Sequence, residues 1–303
     1  MLDTAVSLHV FNRAEAARQV VDVLRVAKPR LLFVHADGPR AGNTSDLAKC
    51  AQVRAVIDTV DWPCEVVRNY SETNLGSFRK AVTSFDFVFD RVDEAIILDD
   101  DCIPHPSFFR FCQELLQRYA NSRVSMIGGF SNLSRNSTGP SYRFSRYTMS
   151  WGWATWRRTW KLVDLDMGAW PSAGRQALAR AIPEPWCRAN WARIFDEIHE
   201  GRRRNGWDYQ LQLTSWLHDM VAVIPTESLI RNIGFDADAT HTTAAAGANA
   251  AVTAHEMNFP LVHPDMVTSD LRLDGKIERL HFGRGPLLQM AAVAKAWMKR
   301  RLT

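Results

Sequence analysis

The sequence is poor in features that mark several classes of protein. Its five cysteines are odd in number and scattered, with no CxxC pair, which argues against a disulfide framework or a zinc site and predicts free thiols in a reducing compartment. No apolar stretch approaches the roughly 20 residues that span a bilayer. Residues 1–5 lack the basic and long apolar regions of a secretory signal. We therefore expect a cytoplasmic protein.

The chain also lacks a strong charge bias and internal repeats. Its formal net charge of +4 is small and spread over both halves, so it gives no reason to expect nucleic acid as the main partner. Of its 303 residues, 46% are hydrophobic, which is enough for the core of one α/β unit with extensions.

The first third of the chain alternates between strand and helix patterns. Short β-rich runs alternate with segments of helical spacing, the strands at 5–11, 31–35, 64–68 and 94–98 and the helices at 14–26, 48–60 and 76–89. This order predicts an α/β fold with a mostly parallel central sheet flanked by helices. Ligands bind such sheets beyond the carboxyl ends of the strands, where several polar residues lie: Asn12, Arg13, Asp37, Asp99, Asp100 and Asp101.

The pattern changes after residue 101. A helical stripe at 108–119 precedes a predicted strand at 124–128 and a polar, loop-like stretch at 130–147. The remainder comprises an aromatic block at 150–160, a helical region to about 219, a strand at 221–225 and an Ala/Gly/Thr-rich stretch at 242–253 that we expect to be mobile.

Three adjacent carboxylates, Asp99, Asp100 and Asp101, close the most apolar strand. At the end of a buried strand they repel one another, which is costly unless a cation neutralises them. A hard divalent ion that also binds a diphosphate would supply that charge. The alternative interpretation is a solvated acidic turn.

Short motifs surround this triplet in a fixed order: Asn74-Leu75-Gly76, Arg79-Lys80-Ala81-Val82, Ile97-Leu98-Asp99-Asp100-Asp101, Pro104 and Phe108-Phe109. Together they resemble the GT-A glycosyltransferases, and more closely the bacterial sugar transferases related to the N-acetylglucosaminyltransferase I family. The resemblance covers roughly residues 5–241 and implies a GT-A type Rossmann-like fold. It implies transfer of a sugar from a nucleotide-diphosphate donor, with UDP-sugar favoured over dTDP-sugar, to an acceptor hydroxyl. The family has Glu-Asp-Asp where this chain begins the triplet with Asp99.

The resemblance also implies roles for the polar residues. Asp101 would bind the metal, and Asp99 and Asp100 would face the ribose and the sugar. Asn12 and Arg13 would contact the nucleotide, and Asp37 would accept the N–H of a uracil or thymine ring. A helix N-cap for Asn12 and a turn-forming role for Asp37 are the alternatives.

Arg79 is a predicted diphosphate contact, because guanidinium groups pair bidentately with phosphate oxygens. Its alternative is an exposed arginine on a helix.

The aromatic block matches a Trp-Gly-Trp segment of the bacterial relatives. Aromatic faces stack on sugar rings, and glycine lets the backbone approach a ligand, so we place Trp151 and Gly152 in the donor site. Trp153, Trp156 and Trp160 recur at spacings that suit a helix packed on the core. We expect the later two in the core.

Asp208 follows Trp207 at the start of a predicted helix. The resemblance implies a catalytic base there, since an inverting transfer needs one carboxylate to take the acceptor proton. An ordinary N-cap is the alternative, and a retaining mechanism stays open. His241 would be the second metal ligand, with a structural or exposed histidine as the alternative. A mixed oxygen and imidazole shell favours Mn²⁺ over Mg²⁺.

We therefore divide the chain into a nucleotide-sugar-binding half (1–128), an acceptor-binding and catalytic half of the same domain (129–241), and a mobile segment with a C-terminal amphipathic helix (242–303). On that helix, Leu287, Met290 and Trp297 share a side and basic residues end the chain. The helix either lies on an anionic membrane, as a peripheral contact on the inner face, or packs on the core.

The expected partners are a nucleotide-sugar donor and a glycan or lipid-linked acceptor in bacterial glycan synthesis. The alternative functions are a sugar-phosphate nucleotidyltransferase and a catalytically inactive GT-A-like binding module. The glycine-rich phosphate loop of the first alternative is missing at residues 12–15.

Overall fold

Strands from both halves of the chain form the central sheet of the protein. The computed structural model describes residues 1–132, 139–203, 206–234, 249 and 251–282. The strands are β1 (Ala5–Val10), β2 (Leu31–Ala36), β3 (Glu65–Tyr70), β4 (Glu94–Asp99), β5 (Cys102–Pro104), β6 (Val124–Gly128), β7 (Tyr142–Ser145), β8 (Trp153–Trp156), β9 (Val221–Pro225) and β10 (Ile230–Asn232).

Helices connect and cover these strands. They are α1 (Ala14–Ala27), α2 (Thr44–Ile57), α3 (Ser77–Phe89), α4 (Ser107–Arg118), α5 (Arg157–Trp160), α6 (Arg175–Ala181), α7 (Pro185–His199), α8 (Asp208–Leu217) and α9 (Leu271–Ile277). Two π-helical turns, Trp170–Gly174 and Glu278–Phe282, adjoin α6 and α9. Among the described residues, no helix is long and apolar enough to cross a bilayer.

Eight strands form one sheet in the order β3-β2-β1-β4-β8-β6-β9-β7. The first four are parallel neighbours, and β6 and β9 are parallel to each other. Strand β8 runs antiparallel between β4 and β6, and β7 is antiparallel to β9 at the edge. This mixed, mostly parallel sheet with flanking helices confirms the predicted fold class.

Each face of the sheet is covered by its own hydrophobic cluster, because successive side chains of a strand point to opposite faces. Val6 and Leu8 of β1 pack in the cluster that contains α1, α2 and α4. Ala5 packs in the other cluster, with α3, α6, α7 and α8. The sheet is therefore covered by helices on both faces.

The predicted elements of residues 5–128 and the strand at 221–225 are all found, with boundaries shifted by a few residues. One prediction was wrong. Residues 130–147, expected to be a loop, contain β7, whose four-residue run is too short for a clear period. The helical spacing of the tryptophans at 153, 156 and 160 does not reflect one continuous helix, because Trp153–Trp156 is a strand with every residue buried. A strand in the middle of a sheet is covered on both faces, so its sequence does not alternate.

A second, two-stranded sheet pairs β10 antiparallel with β5, with Asn232 opposite Cys102. The pairing brings the chain after β10 back to the end of β4. The sheets thus join residues on both sides of position 128. The Ala/Gly/Thr-rich stretch lies largely, and the C-terminal helix entirely, outside the described residues.

Candidate functional site

A cleft of about 1040 Å³ opens beyond the carboxyl ends of the first parallel strands. Its walls come from the loops after β1, β2 and β4, the start of α3, the loop and first turn of α8, and the chain after β10. The charged lining residues are Arg13, Asp37, Arg40, Lys80, Asp99, Asp100, Asp101, Glu197, Arg202, Arg203 and Asp208.

The acidic triplet forms part of the floor of this cleft. Asp99 is open to the cleft, Asp100 is buried, and Asp101 is half-buried. Burial raises the pKa of Asp100 to about 7, against the lowering effect of Arg13. Enclosure by protein on its other sides, followed by the charges of Asp101 and Asp100, also raises the pKa of Asp99. The triplet therefore favours an added positive charge.

Arg13 supplies part of that charge. Its Nη1 lies 3.0 Å from Asp101 Oδ2, and its Nε lies 3.9 Å from Asp100 Oδ1. Burial would lower the pKa of the Arg13 guanidinium, but the carboxylates raise it above its usual value. One guanidinium faces three carboxylates, so its positive charge does not balance theirs and a further cation would be favourable.

The residues around Asp101 fit a hard divalent cation. Ligand atoms of Asp99, Asp101 and Cys102 lie within 4.8 Å of one another. Carboxylate oxygens are the donors that Mg²⁺ and Mn²⁺ accept. Burial and the neighbouring carboxylates raise the pKa of the Cys102 thiol well above its usual value, so it stays protonated and is a poor ligand. Asp99 and Asp101 are therefore the side chains that could hold the ion.

The chain after β10 passes directly beside Asp101. The N–H of Ile233 donates to the Asp101 carbonyl at 2.8 Å, and the N–H of Gly234 donates to Asn232 Oδ1 at 2.7 Å. His241, the predicted second metal ligand, lies outside the described residues.

Asp37 lines the cleft, but its carboxylate is fully engaged by protein donors. Oδ1 accepts from the N–H groups of Gly38 (2.8 Å) and Leu75 (2.9 Å). Oδ2 accepts from Asn74 Nδ2 (3.0 Å) and the N–H of Gly76 (3.1 Å). Since a carboxylate has about four acceptor sites, Asp37 ties the loop after β2 to the turn before α3. Accepting a base N–H would require one of these bonds to break.

Three residues predicted to bind the donor do not line the cleft. Asn12 Nδ2 donates to Asp46 Oδ1 at 3.0 Å, and the N-cap of α1 is Arg13 instead. Arg79 is exposed on α3. Gly152 has a φ of 59°, and a Cβ there would lie 2.4 Å from Ile230. The positive φ and this packing are sufficient to explain the glycine without a ligand.

The structure brings four basic residues to the cleft that sequence reasoning missed: Arg40, Lys80, Arg202 and Arg203. Lys80 is buried, and its Nζ donates to the Asn69 carbonyl (2.9 Å) and to Ser71 Oγ (3.1 Å). Burial lowers its pKa. Arg40 is fixed by Asp46, with Nε 2.6 Å from Oδ2. Lys80 lies on the buried stripe of α3 with Phe85, and this spacing could have distinguished it from Arg79.

A pair of histidines, also missed, lies at the cleft floor. His9 and His35 are opposite each other on β1 and β2, with ring centroids 5.0 Å apart. Burial, followed by the charge of Lys80, lowers the pKa of His9 to about 3. Burial, followed by the charges of His9 and Lys80, lowers that of His35 to about 2. Both imidazoles are therefore neutral at pH 7.

Asp208 is the first residue of α8 and lines the same cleft as the triplet. An aromatic cluster fixes this end of the helix. Trp207 stacks on Trp153 of β8 with ring centroids 5.0 Å apart, and meets Phe85 of α3 edge to face at 4.7 Å.

Trp151 lies in the cleft lining, with its ring 4.6 Å from that of Phe130. Trp156 and Trp160 are buried, which confirms that the later tryptophans of the block belong to the core.

Comparison with protein-family models and with curated proteins finds no match. Among solved structures, the chain is similar to a UDP-glucose pyrophosphorylase complexed with UDP-glucose, at 8% identity and a TM-score of 0.34, over 53% of this chain and 79% of that one. It is also similar to the inositol-1-phosphate CTP transferase from T. maritima, at 10% identity and a TM-score of 0.31, over 54% of this chain and 75% of that one. Likenesses this distant carry no argument about function.

Proposed function

We propose that the protein is a metal-dependent glycosyltransferase of the GT-A type, which moves a sugar from a nucleotide-diphosphate sugar, a UDP-sugar being favoured, to an acceptor hydroxyl with inversion. One observation carries the proposal. A single cleft at the ends of parallel strands contains both a carboxylate pair suited to a divalent cation, Asp99 and Asp101, and a separate carboxylate at a helix start, Asp208.

The charge of the cleft supports a ligand of this class. Its lining contains five Lys or Arg side chains and six Asp or Glu side chains, so it is close to balanced. A divalent cation together with a nucleotide diphosphate adds little net charge. Lys80 Nζ has two protein partners and can offer its third N–H to a ligand oxygen.

In the proposed reaction the two carboxylate sites have different roles: Asp99 and Asp101 would hold the metal ion, and Asp208 is the base. A bound divalent ion would stabilise negative charge on the leaving diphosphate. Asp208 accepts the proton of the acceptor hydroxyl while the hydroxyl oxygen bonds to the anomeric carbon of the donor. The bond from that carbon to the diphosphate oxygen breaks, and the nucleoside diphosphate leaves with the electron pair.

The finer assignments belong to the same proposal. A preference for Mn²⁺ depends on His241 as a ligand. The acceptor is a glycan or a lipid-linked sugar, and the protein works in the cytoplasm, with peripheral contact to the inner face of the membrane if the C-terminal helix docks there.

Thermal unfolding with nucleotides tests the metal assignment. UDP with Mn²⁺ should raise the melting temperature more than UDP alone, because a ligand that binds only the folded state stabilises it, by about 2.7 kcal/mol at 100 times Kd. Asp101→Asn should abolish the Mn²⁺-dependent part and leave the unliganded protein folded, since it removes a ligand charge and no core packing. An unchanged Mn²⁺ effect in that variant would contradict the assignment.

Sugar-phosphate nucleotidyl transfer is the alternative enzyme class, and the two similar structures carry names of that class. Their TM-scores do not decide between the two reactions, and residues 12–15 contain no glycine for a phosphate loop. Incubation with UTP and a sugar 1-phosphate separates them, because only the alternative releases pyrophosphate. Nucleotide binding with no turnover in either assay would indicate the inactive binding module.

A further inference from the structure

Two glycines in the cleft lie against the two carboxylates to which the proposed function assigns chemistry. A Cβ built on Gly234 would lie 2.1 Å from Asp101 Oδ2, and a Cβ built on Gly206 would lie 2.2 Å from Asp208 Oδ1. Both distances are far below a van der Waals contact of about 3.5 Å. Gly234 does not have a positive φ, so backbone conformation does not explain why this residue is glycine.

The position of Gly234 follows from the two-stranded sheet. Asn232 pairs with Cys102, and the Ile233 N–H donates to the Asp101 carbonyl, so the next residue must pass the Asp101 side chain. Asp101 Oδ2 is also 3.0 Å from Arg13 Nη1. A methyl group at position 234 would turn this carboxylate away from Arg13 and from Asp99.

The position of Gly206 follows from the aromatic anchor of α8. Trp207, which lies between Gly206 and Asp208 in the sequence, is held in place by its stack on Trp153. With that ring held, the Asp208 carboxylate lies back over Gly206. A methyl group there would push the carboxylate to another rotamer without disturbing the stack.

Gly168 shows the ordinary case in the same molecule. It also faces an aspartate, but its Cβ would lie 3.7 Å from Asp164 Oδ2, a normal contact. Gly168 does not line the cleft. The close approach at Gly206 and Gly234 is therefore not a general property of glycines beside aspartates in this fold.

We infer that Gly206 and Gly234 are positioning residues, which set the orientation of the proposed base and of the proposed metal ligand by leaving the place of a Cβ to a carboxylate oxygen. This inference rests on the proposed function. On this inference, the orientation of both carboxylates depends partly on two residues that have no side chain.

Calorimetric titration of Mn²⁺, in the presence of UDP, tests Gly234 with four proteins: wild type, Asp101→Asn, Gly234→Ala and the matched control Gly168→Ala. Gly234→Ala should weaken Mn²⁺ binding about tenfold or more, because displacing a ligand or its supports costs about 10–100-fold in metal affinity. Gly168→Ala should match the wild type. Melting temperatures should be unchanged or slightly higher, since alanine restricts the unfolded chain.

The same set with Gly206→Ala and Asp208→Asn tests the base. Gly206→Ala should keep the affinities for Mn²⁺ and UDP and lower kcat for release of UDP from the donor by about 10–100-fold, the scale of a misplacement of about 1 Å. A merely structural glycine would change the melting temperature and leave kcat per folded molecule as it was.

The outcomes separate the inference from the function on which it rests. If Asp101→Asn retains Mn²⁺ binding, the proposed metal site and the role of Gly234 are both overturned. If Asp101→Asn loses binding while Gly234→Ala matches Gly168→Ala, only the inference is overturned. If Gly234→Ala melts early, the double variant Asp101→Ala/Gly234→Ala decides: recovered stability identifies the carboxylate as the obstacle, and equal instability overturns the inference.

Discussion

At the scale of single residues, the least expected feature is His35. It is fully buried, and neither ring nitrogen has a hydrogen-bond partner among the described residues. Its ring lies between aromatic neighbours, 5.8 Å from Phe87 and 6.4 Å from Phe33. Unsatisfied buried polar atoms cost about 1–3 kcal/mol, so we expect this histidine to lower the stability of the protein.

His35→Phe should therefore raise the free energy of unfolding at pH 7, and it should also flatten its pH dependence. The pKa of His35 is about 2 in the folded protein and about 6.5 in the unfolded chain. Between pH 7 and 5 the unfolded chain binds a proton that the folded protein does not, so stability falls as the pH falls, by up to about 1.4 kcal/mol per pH unit. Urea denaturation of both proteins at pH 7, 6 and 5 measures the difference, and equal slopes would refute it.

Asp208 carries the residue-scale prediction for catalysis. Asp208→Asn should lower kcat by about 10²–10⁴-fold, the usual contribution of a positioned proton acceptor. The affinity for UDP with Mn²⁺ should change little, because the base acts on the acceptor. Steady-state kinetics with calorimetry of the donor nucleotide tests this. Wild-type turnover in the variant would place the base elsewhere.

At the scale of elements, α9 depends on one buried carboxylate. Asp274 accepts hydrogen bonds from Ser145 Oγ at 2.6 Å and from the N–H and Nε of Arg146 at 3.2 and 2.9 Å. The residue is 1% exposed. These bonds fasten α9 to the end of β7 at the edge of the sheet.

Asp274→Ala should cost about 3–5 kcal/mol, because it leaves Arg146, whose side chain is only 15% exposed, without its partner. Asp58→Ala is the matched control. It removes the partner of Arg68 from an exposed ion pair, which costs less than about 1 kcal/mol. Urea denaturation gives both values, and protease sensitivity near residues 270–282 should rise only in the first variant. Similar losses in the two would contradict the role of Asp274.

Sequence reasoning succeeded where a pattern extends over a whole element. The period of α1 and the apolar run of β4 predict those elements, and the triplet after β4 predicts the floor of the cleft. It failed for contacts between distant residues. Nothing local shows that Asn12 turns to Asp46, or that Asp37 is saturated by the turn at residues 74–76. Arg79 and Lys80 are adjacent in the sequence, and only knowledge of which side of α3 is buried shows that Lys80 is the one that reaches the cleft.

At the scale of the whole molecule, the open prediction concerns membrane contact, since the described residues include no helix that could span a bilayer. The basic tail beyond residue 285 lies outside the described residues and keeps its two readings, docking on an anionic surface or packing on the protein. If the tail docks, co-sedimentation with anionic liposomes at low salt should bring the full chain into the pellet. A variant truncated before Gly285 should stay in the supernatant. Equal recovery of both in the supernatant would exclude docking through it.

The position of β8 has a consequence for dividing the gene. In a fragment that ends at residue 128, β4 would lose the neighbour that joins it to β6, and β6 would have no partner at all, because its partners β8 and β9 come later in the chain. The open edge of β4 and both open edges of β6 would favour aggregation. Expression of the first half alone should therefore yield insoluble material, although it contains every carboxylate of the triplet. Position 128 marks a change in the path of the chain and not a point at which it can be cut.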